Sequence, residues 1–299
     1  FNWSRPLRFD RYPNYLYFKV MNRFFFPLFI LLIQISLGQN NSSKEAIDSR
    51  KDPNFLIENH ADSGFSNFNK KVVVFGIAIY AVATVENAKL FHAANVMAQY
   101  LDNNEDGIVD NPLVLGKMLE NGAFMVMWKN INELDLIPSM EREGQDLGND
   151  ETNPNFVSNG RKGAFDATLE EVLHLINNAG HSNVYPKAFG QYAGSELSNA
   201  MDVARGGQFR SIPKKYPLNA WYTYDDQTCD YSNCQTIEYL YWAITSILGA
   251  QENRLDEIDK EWKLNTLEKV KYTDTKIFSL LTNPIYKMPT VLPDGTYRH

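Results

Sequence analysis

Residues 72–85 read VVVFGIAIYAVATV, an apolar stretch rich in Val and Ile that decides the first part of the fold. β-Branched side chains favour an extended chain, and a run this apolar is typical of strands with both faces buried. Gly76 lies inside the run, so the stretch predicts one or two buried strands. Between Glu86 and Leu101 the apolar residues recur with helical spacing, which predicts a helix directly after the strands.

The pattern beyond this helix adds one more strand and then becomes helical. Asn111 is a predicted N-cap, with Pro112 at the first position of a short helix that ends near Leu119. Residues 123–128 predict a strand, and residues 141–163, rich in Gly, Asn, Asp and Glu, predict a long loop. Strands followed by helices indicate an α+β fold, with a small sheet near the N-terminal half and a mainly helical C-terminal half. Further helices are predicted over residues 169–178, 195–204, 236–248, 255–262 and 273–281.

The first 38 residues have the character of an export signal. The first Met is Met21, Arg23 follows it, residues 24–35 are almost wholly apolar, and cleavage is expected after Gly38. A transmembrane anchor is the alternative, but the run is shorter than the about 20 apolar residues that a membrane span needs. We therefore expect a secreted or extracytoplasmic protein without a stable membrane span after cleavage.

Three parts of unequal character are predicted along the chain. Residues 1–38 comprise upstream sequence and the signal peptide, residues 39–70 a mobile polar leader, and residues 71–299 a single α+β domain. Five basic residues against one acid give the first part a net charge of +4, so the remainder of this −7 chain carries −11. The acidic domain argues against nucleic acid as a partner, because phosphate binding needs clustered Lys and Arg.

The chain has two cysteines, Cys229 and Cys234, separated by four residues. In an exported protein, such a pair with no other partner is expected to form a local disulfide. Metal binding by the two thiolates is the alternative, but the sequence has no second cysteine pair to complete such a site.

Residues 102–113 place oxygen-bearing side chains at alternate positions between two predicted helices. Positions 1, 3, 5 and 9 of this segment are Asp102, Asn104, Asp106 and Asp110, and position 6 is a Gly. The segment resembles an EF-hand calcium loop, in which alternate oxygens converge on Ca²⁺ and the Gly permits the sharp turn. Leu113 replaces the usual acid at position 12, which predicts weak binding unless another segment supplies an oxygen. The alternative is an ion-free turn, which Asn and Asp also favour.

Residues 168–174, TLEEVLH, are the most informative stretch for chemistry. On a helix, Glu170 and His174 are four residues apart and Glu171 and His174 three apart, so these side chains are neighbours. The segment resembles the His-Glu-x-x-His signature of the zincin metallopeptidases, in which two histidines bind zinc and the Glu activates a metal-bound water. By position, His174 matches the second zinc ligand and Glu171 the general base, whereas Glu170 replaces the first His. The resemblance implies a zincin-like fold, a bound Zn²⁺ and a peptide or protein substrate.

A third zinc ligand has several candidates. The elongated zincin signature has another His six residues after the second, a place that Gly180 occupies here, with His181 one residue later. In one zincin branch a Glu on a later helix completes the site, which points to Glu238. Glu196 and Asp202 are further choices.

Aromatic residues crowd the segment before and within the helix predicted at 236–248. Tyr222 is expected to stabilise an oxyanion, as a tyrosine does in some zincins, with Tyr224 as the alternative. These aromatic residues either pack in the core or line a binding surface. If they line a surface, the competing function is a non-enzymatic, secreted, calcium-binding protein with an aromatic binding surface. The aromatic residues are Trp221, Tyr222, Tyr224, Tyr231, Tyr239, Tyr241 and Trp242.

A plainer explanation accounts for the same acids without a metal. Thr168 and Glu171 have the spacing of a capping box, which satisfies the first amides of a helix. Glu170 in the first turn complements the helix dipole, and His174 is then a hydrogen-bonded core histidine. The position of Glu170 relative to His174 distinguishes the two explanations.

Overall fold

The computed structural model describes residues 55–137 and 143–299, so the predicted signal peptide and the first half of the predicted leader lie outside the described residues. The segment before the first strand packs on the sheet. Phe65 is fully buried, with its ring stacked 3.8 Å from that of Tyr80 and edge-on to Phe124 at 5.1 Å. Packing of the core therefore starts before residue 70.

Four strands form one mixed sheet in sequence order. The first two are antiparallel and form a hairpin, whereas the third is parallel to the second and the fourth parallel to the third. Phe75 and Gly76 connect the hairpin and both have positive φ, the conformation that a two-residue turn between right-twisted strands requires. The strands are β1 (Lys70–Val74), β2 (Ile77–Ala81), β3 (Phe124–Trp128) and β4 (Gly144–Gly148).

The helices described in the structure are mostly in the C-terminal half, so the predicted α+β class is confirmed. Asn111 caps the second helix, its side-chain oxygen accepting from the amide of Val114 as its sequence position predicts. The helices are α1 (Asn87–Leu101), α2 (Pro112–Glu120), α3 (Thr168–Ile176), α4 (Ser182–Val184), α5 (Pro186–Phe189), α6 (Glu196–Ala204), α7 (Thr236–Ile247), α8 (Leu255–Ile258), α9 (Leu267–Thr273) and α10 (Thr275–Leu281).

The long loop predicted at residues 141–163 was wrong in part, because it contains β4. The strand reads GQDLG and has none of the β-branched residues that mark strands in a sequence. Gly144 is required by packing rather than by a turn, since a Cβ there would lie 2.5 Å from the ring of Phe124 on β3. The predictions also missed α9 and extended α8 four residues too far, to residue 262.

Packing in the core positions helix α3. This helix packs against α1, β4 and α7, and α7 in turn packs against α6, α9 and α10. Helix α3 is buried along almost its whole length, with polar residues among the buried set. No helix in the described part of the chain is long and apolar enough to cross a membrane.

Candidate metal centre

The start of α3 is fixed by a buried acid. Asp166 precedes the helix, and its Oδ1 accepts from the amides of Thr168 at 3.3 Å and Asn153 at 3.0 Å. Its Oδ2 lies 2.6 Å from Nε2 of His92 on α1. The Tyr100 hydroxyl, also on α1, donates to the Leu169 carbonyl at 2.9 Å. Helix α3 is thereby held in one position relative to α1, which is what a precise site on it requires.

Two helices bring three metal-ligating side chains together. Glu170 and His174 share a face of α3, and Glu238 comes from the first turn of α7. One ligand atom from each lies within 4.8 Å of those of the other two. Ligands around a tetrahedral metal ion at ~2.1 Å would be about 3.4 Å apart, so small side-chain rotations close this group around an ion. His174 is buried, and the two carboxylates are partly exposed, so that water has access to the group.

The capping-box explanation of Glu171 is wrong. The hydroxyl of Thr168 is buried and makes no hydrogen bond among the described residues, and no side chain caps α3 at the preceding residue. Glu171 points inward instead, where its Oε2 accepts from Gln145 Nε2 on β4 at 2.5 Å and lies 3.4 Å from Nδ1 of His174. Glu170 likewise lies beside His174, as the metal interpretation requires.

Burial raises the pKa values of the three acids that lie around the His174 imidazole. Burial raises the pKa of Glu170, against the opposing effects of His174 and of a hydrogen bond from Tyr241. Burial, then the charge of Glu170, raises the pKa of Glu171 well above its usual range, and burial raises that of Glu238 in the same way. A divalent cation at this point would remove the mutual repulsion of these carboxylates.

The other predicted zinc ligands lie elsewhere. The chain does not turn back after α3 but continues as a π-helical turn, Asn177–His181, into α4. Seven helical residues span about 10 Å, so His181 is carried away from His174 and is absent from the ligand group. Its ring packs near Tyr185 and Phe189. Glu196 is exposed at the start of α6, and Asp202 pairs with Arg210 at 3.1 Å.

Tyr241 lies beside the ligand group. Its ring centroid lies 5.9 Å from that of His174, and its hydroxyl is close enough to Glu170 to lower the pKa of that carboxyl. Tyr222 is near enough to Glu238 for that charge, after burial, to raise the pKa of its phenol. The Tyr222 hydroxyl donates to the Gln235 carbonyl at 2.8 Å. Tyr224 is close enough to Glu238 for that charge, after burial, to raise the pKa of its phenol. A sequence signal for Tyr241 existed, because it follows Glu238 by three residues on one helix face.

Neither a family model, nor a curated protein, nor a solved structure matches this chain. The site is therefore interpreted from its own residues.

The crowded aromatic residues belong to the core. Six of the seven are buried, with only Trp221 intermediate. The ring of Tyr222 contacts those of Tyr224, Tyr239 and Trp262, and the ring of Tyr241 contacts that of Trp242. They therefore do not form the aromatic binding surface of the competing function.

The predicted disulfide is confirmed between Cys229 and Cys234. It closes a turn that leads through a π-helical segment, Tyr231–Gln235, directly into α7. The side chain of Gln235 donates to the Cys229 carbonyl at 2.6 Å across this turn. The disulfide therefore fixes the chain just before the helix that carries Glu238.

The predicted calcium loop keeps part of the expected geometry. Asp102 is fully buried and accepts from the amides of Asp106 at 3.2 Å and Gly107 at 2.9 Å, and Gly107 has the positive φ that the motif needs. Asp110 accepts from the amide of Asn103 at 2.7 Å. In the described part of the chain these aspartates do not form a group whose ligand atoms all lie within 4.8 Å of one another.

Burial of His181 makes stability depend on pH. Burial lowers the pKa of this imidazole to about 4, from 6.5 when unfolded, so the folded state favours the neutral ring. The contribution of the neutral His181 ring to the free energy of unfolding is complete above about pH 6.5 and is lost as the pH falls toward 4. Between pH 7 and 4 we expect the wild type to lose about 3 kcal/mol more unfolding free energy than His181→Gln.

Urea unfolding of both proteins across this pH range checks this prediction. His299→Gln, at an exposed histidine, is the matched control and should follow the wild type. Parallel pH profiles for wild type and His181→Gln would contradict it.

Proposed function

We propose that this protein is a zinc-dependent metallohydrolase that cleaves peptide bonds with a metal-activated water. The observation that carries the proposal is the meeting of Glu170, His174 and Glu238, which come from two different helices. His174 and Glu238 are 64 positions apart in sequence. Three protein ligands from imidazole and carboxylate leave the fourth position of a tetrahedral zinc ion open for water or substrate, as in catalytic zinc sites.

The residues present fit a metal ion. Nε2 of His174 is buried and makes no hydrogen bond among the described residues, so the ring has a nitrogen left for a ligand bond. A buried polar atom without a partner costs about 1–3 kcal/mol, which a metal bond would remove. The two carboxylates that cluster with this ring support a divalent cation at the group.

Glu171 is the proposed general base. The Gln145 amide and the neighbouring His174 ring fix its carboxylate, and burial raises the pKa of this acid, so that it binds a proton more readily than an exposed carboxylate. Tyr241 is held beside the group by Gln251, whose Nε2 donates to its hydroxyl at 3.2 Å. Burial raises the pKa of this phenol well above its usual range, so it stays a neutral donor, suited to stabilise an oxyanion. When bound, zinc would lower the pKa of its water and polarise the substrate carbonyl.

A location outside the reducing cytosol is part of the proposal. The Cys229–Cys234 disulfide supports it, because such bonds persist in oxidising compartments. The export signal that would take the chain there is inferred from the sequence of residues 1–38.

A pooled library of fluorogenic peptides tests the activity. The purified protein is expected to cleave part of the library, to lose that activity with a zinc chelator, and to regain it when Zn²⁺ is added back. Glu238→Gln should lack the activity, whereas Glu196→Gln, at an exposed acid that is also in the first turn of its helix, should retain it. Zinc binding without cleavage of any peptide would contradict the peptidase proposal while leaving the metal site intact.

We also propose a structural calcium ion in the loop formed by residues 102–113, supported by the hydrogen bonds of Asp102 and the turn at Gly107. Without the acid at position 12, affinity is expected near the weak end for such loops, about 1 mM. At 10 mM, Ca²⁺ would then add about 1.4 kcal/mol to the free energy of unfolding and raise the Tm by roughly 3 °C.

Thermal unfolding with and without calcium checks this. Asp106→Asn combined with Asp110→Asn should remove the rise in Tm, whereas Asp259→Asn, at an exposed aspartate, should keep it. An equal Tm with and without calcium in the wild type would defeat the calcium proposal.

A further inference from the structure

A second polar site lies on α1, away from the ligands of the proposed zinc ion. It is a cavity of about 310 Å³ between α1, the turn after β4 and the segment 294–296. Ligand pockets start near 300 Å³, so the volume suits a ligand of about one sugar ring. Its walls are Ala88, Phe91, His92, Asn95, Pro154, Asn155, Ser158, Asp294, Gly295 and Thr296.

His92 lines this cavity and is paired with a buried acid, Asp166. Nε2 of His92 lies 2.6 Å from a carboxylate oxygen of Asp166, and both side chains are buried. Because a carboxylate accepts, Nε2 of His92 donates to Asp166, and Nδ1 lies on the other side of the ring. Gly295 lies against that side of the ring, since a Cβ on it would be 2.0 Å from Nδ1. The ring is thus held in one orientation beside the cavity.

The remaining polar walls offer several hydrogen-bond acceptors. Oδ1 of Asp294 accepts from Gln99 and Thr296, whereas its Oδ2 enters none of the hydrogen bonds found among the described residues. The side-chain oxygen of Asn95 also enters none of these hydrogen bonds, although its amide nitrogen donates to the Phe91 carbonyl. The side chain of Asn155 enters none either; only its backbone carbonyl accepts, from Ser158. A ligand that presents several hydroxyl donors is complementary to such a site.

The apolar residues in the cavity wall, and the absence of Lys and Arg from it, limit the class of ligand that the cavity can bind. Phe91 and Pro154 offer flat apolar surface, on which the C–H face of a sugar ring packs. No Lys or Arg lines the cavity as described, so an anionic ligand would have no counter-charge. We propose that this cavity binds a neutral, polyhydroxylated ligand the size of a monosaccharide.

Ligand-observed NMR with the full chain tests the proposal. The probes are glucose, galactose, mannose and N-acetylglucosamine, with spermidine as a cationic donor and citrate as an anion. We expect at least one sugar to bind with a Kd of about 10 mM or tighter. Asn155→Ala combined with Ser158→Ala should weaken binding at least fivefold, since both side chains are exposed and the fold should survive their loss.

Matched variants make the outcome specific. Asn159→Ala lies in the same turn but outside the cavity and should bind like the wild type. His174→Ala should also bind sugar normally, which separates this site from the proposed zinc site. No binding by any of the four sugars, equal binding by the Asn155/Ser158 double variant, or tighter binding of spermidine or citrate would overturn the proposal.

Discussion

His174→Ala is expected to lower the zinc affinity of this chain by more than about 100-fold. Loss of a residue that merely supports a ligand already costs 10–100-fold, and His174 supplies the one nitrogen donor of the group. Competition with a fluorescent zinc chelator measures the effect. Glu238→Gln should produce a similar loss, because it removes one of the two carboxylate charges of the group.

Two variants control this comparison. Glu196→Gln and His181→Gln change residues that the sequence offers as zinc ligands but that lie outside the group. Both should bind zinc within about twofold of the wild type. A large loss of affinity in His181→Gln, or none in Glu238→Gln, would show that the ligand set differs from the one proposed.

Glu171→Gln is expected to reduce peptide hydrolysis by about 10²–10⁴-fold while leaving zinc stoichiometry unchanged. The carboxamide keeps the size of the side chain and its place beside Gln145, but it cannot take a proton from water. Cleavage rate and bound zinc are measured on the same sample, so the chemical step and metal binding are separated.

Glu143→Gln is the matched control, because Glu143 is another acid whose pKa burial raises, but it is not among the groups whose charges act on Glu170 or Glu171. It should cleave peptides at the wild-type rate. If Glu171→Gln lost its zinc, Glu171 would be a ligand; if it kept full activity, another group would be the base.

The helix bearing Glu170 and His174 could be predicted from sequence because both its apolar spacing and its ligand spacing are local. Glu238 followed only from a resemblance, since nothing local joins residues 64 positions apart. Its arrival at His174 depends on α7 packing against α3, which is a property of the whole core. Sequence spacing thus indicated half of the site, and tertiary packing completed it.

Three residues in and near the site could not be placed correctly from the sequence, each for a different physical reason. Gln145 lies on β4, whose sequence GQDLG signals a loop, because the strand is stabilised by its partner and by the ring of Phe124 rather than by its own residues. Thr168 does not cap the helix, because it is the first residue inside α3, where its own amide donates to Asp166. His181 was misplaced because the helix continues where Asn and Gly residues indicate an end.

X-ray absorption at the zinc edge, on the purified chain loaded with one equivalent of Zn²⁺, tests the central claim most directly. The account predicts one imidazole and two or three oxygen neighbours at about 2.0–2.1 Å, with no sulfur. The imidazole signal should vanish in His174→Ala. Two imidazoles, a sulfur neighbour, or a zinc ion surrounded only by water would contradict the site formed by Glu170, His174 and Glu238.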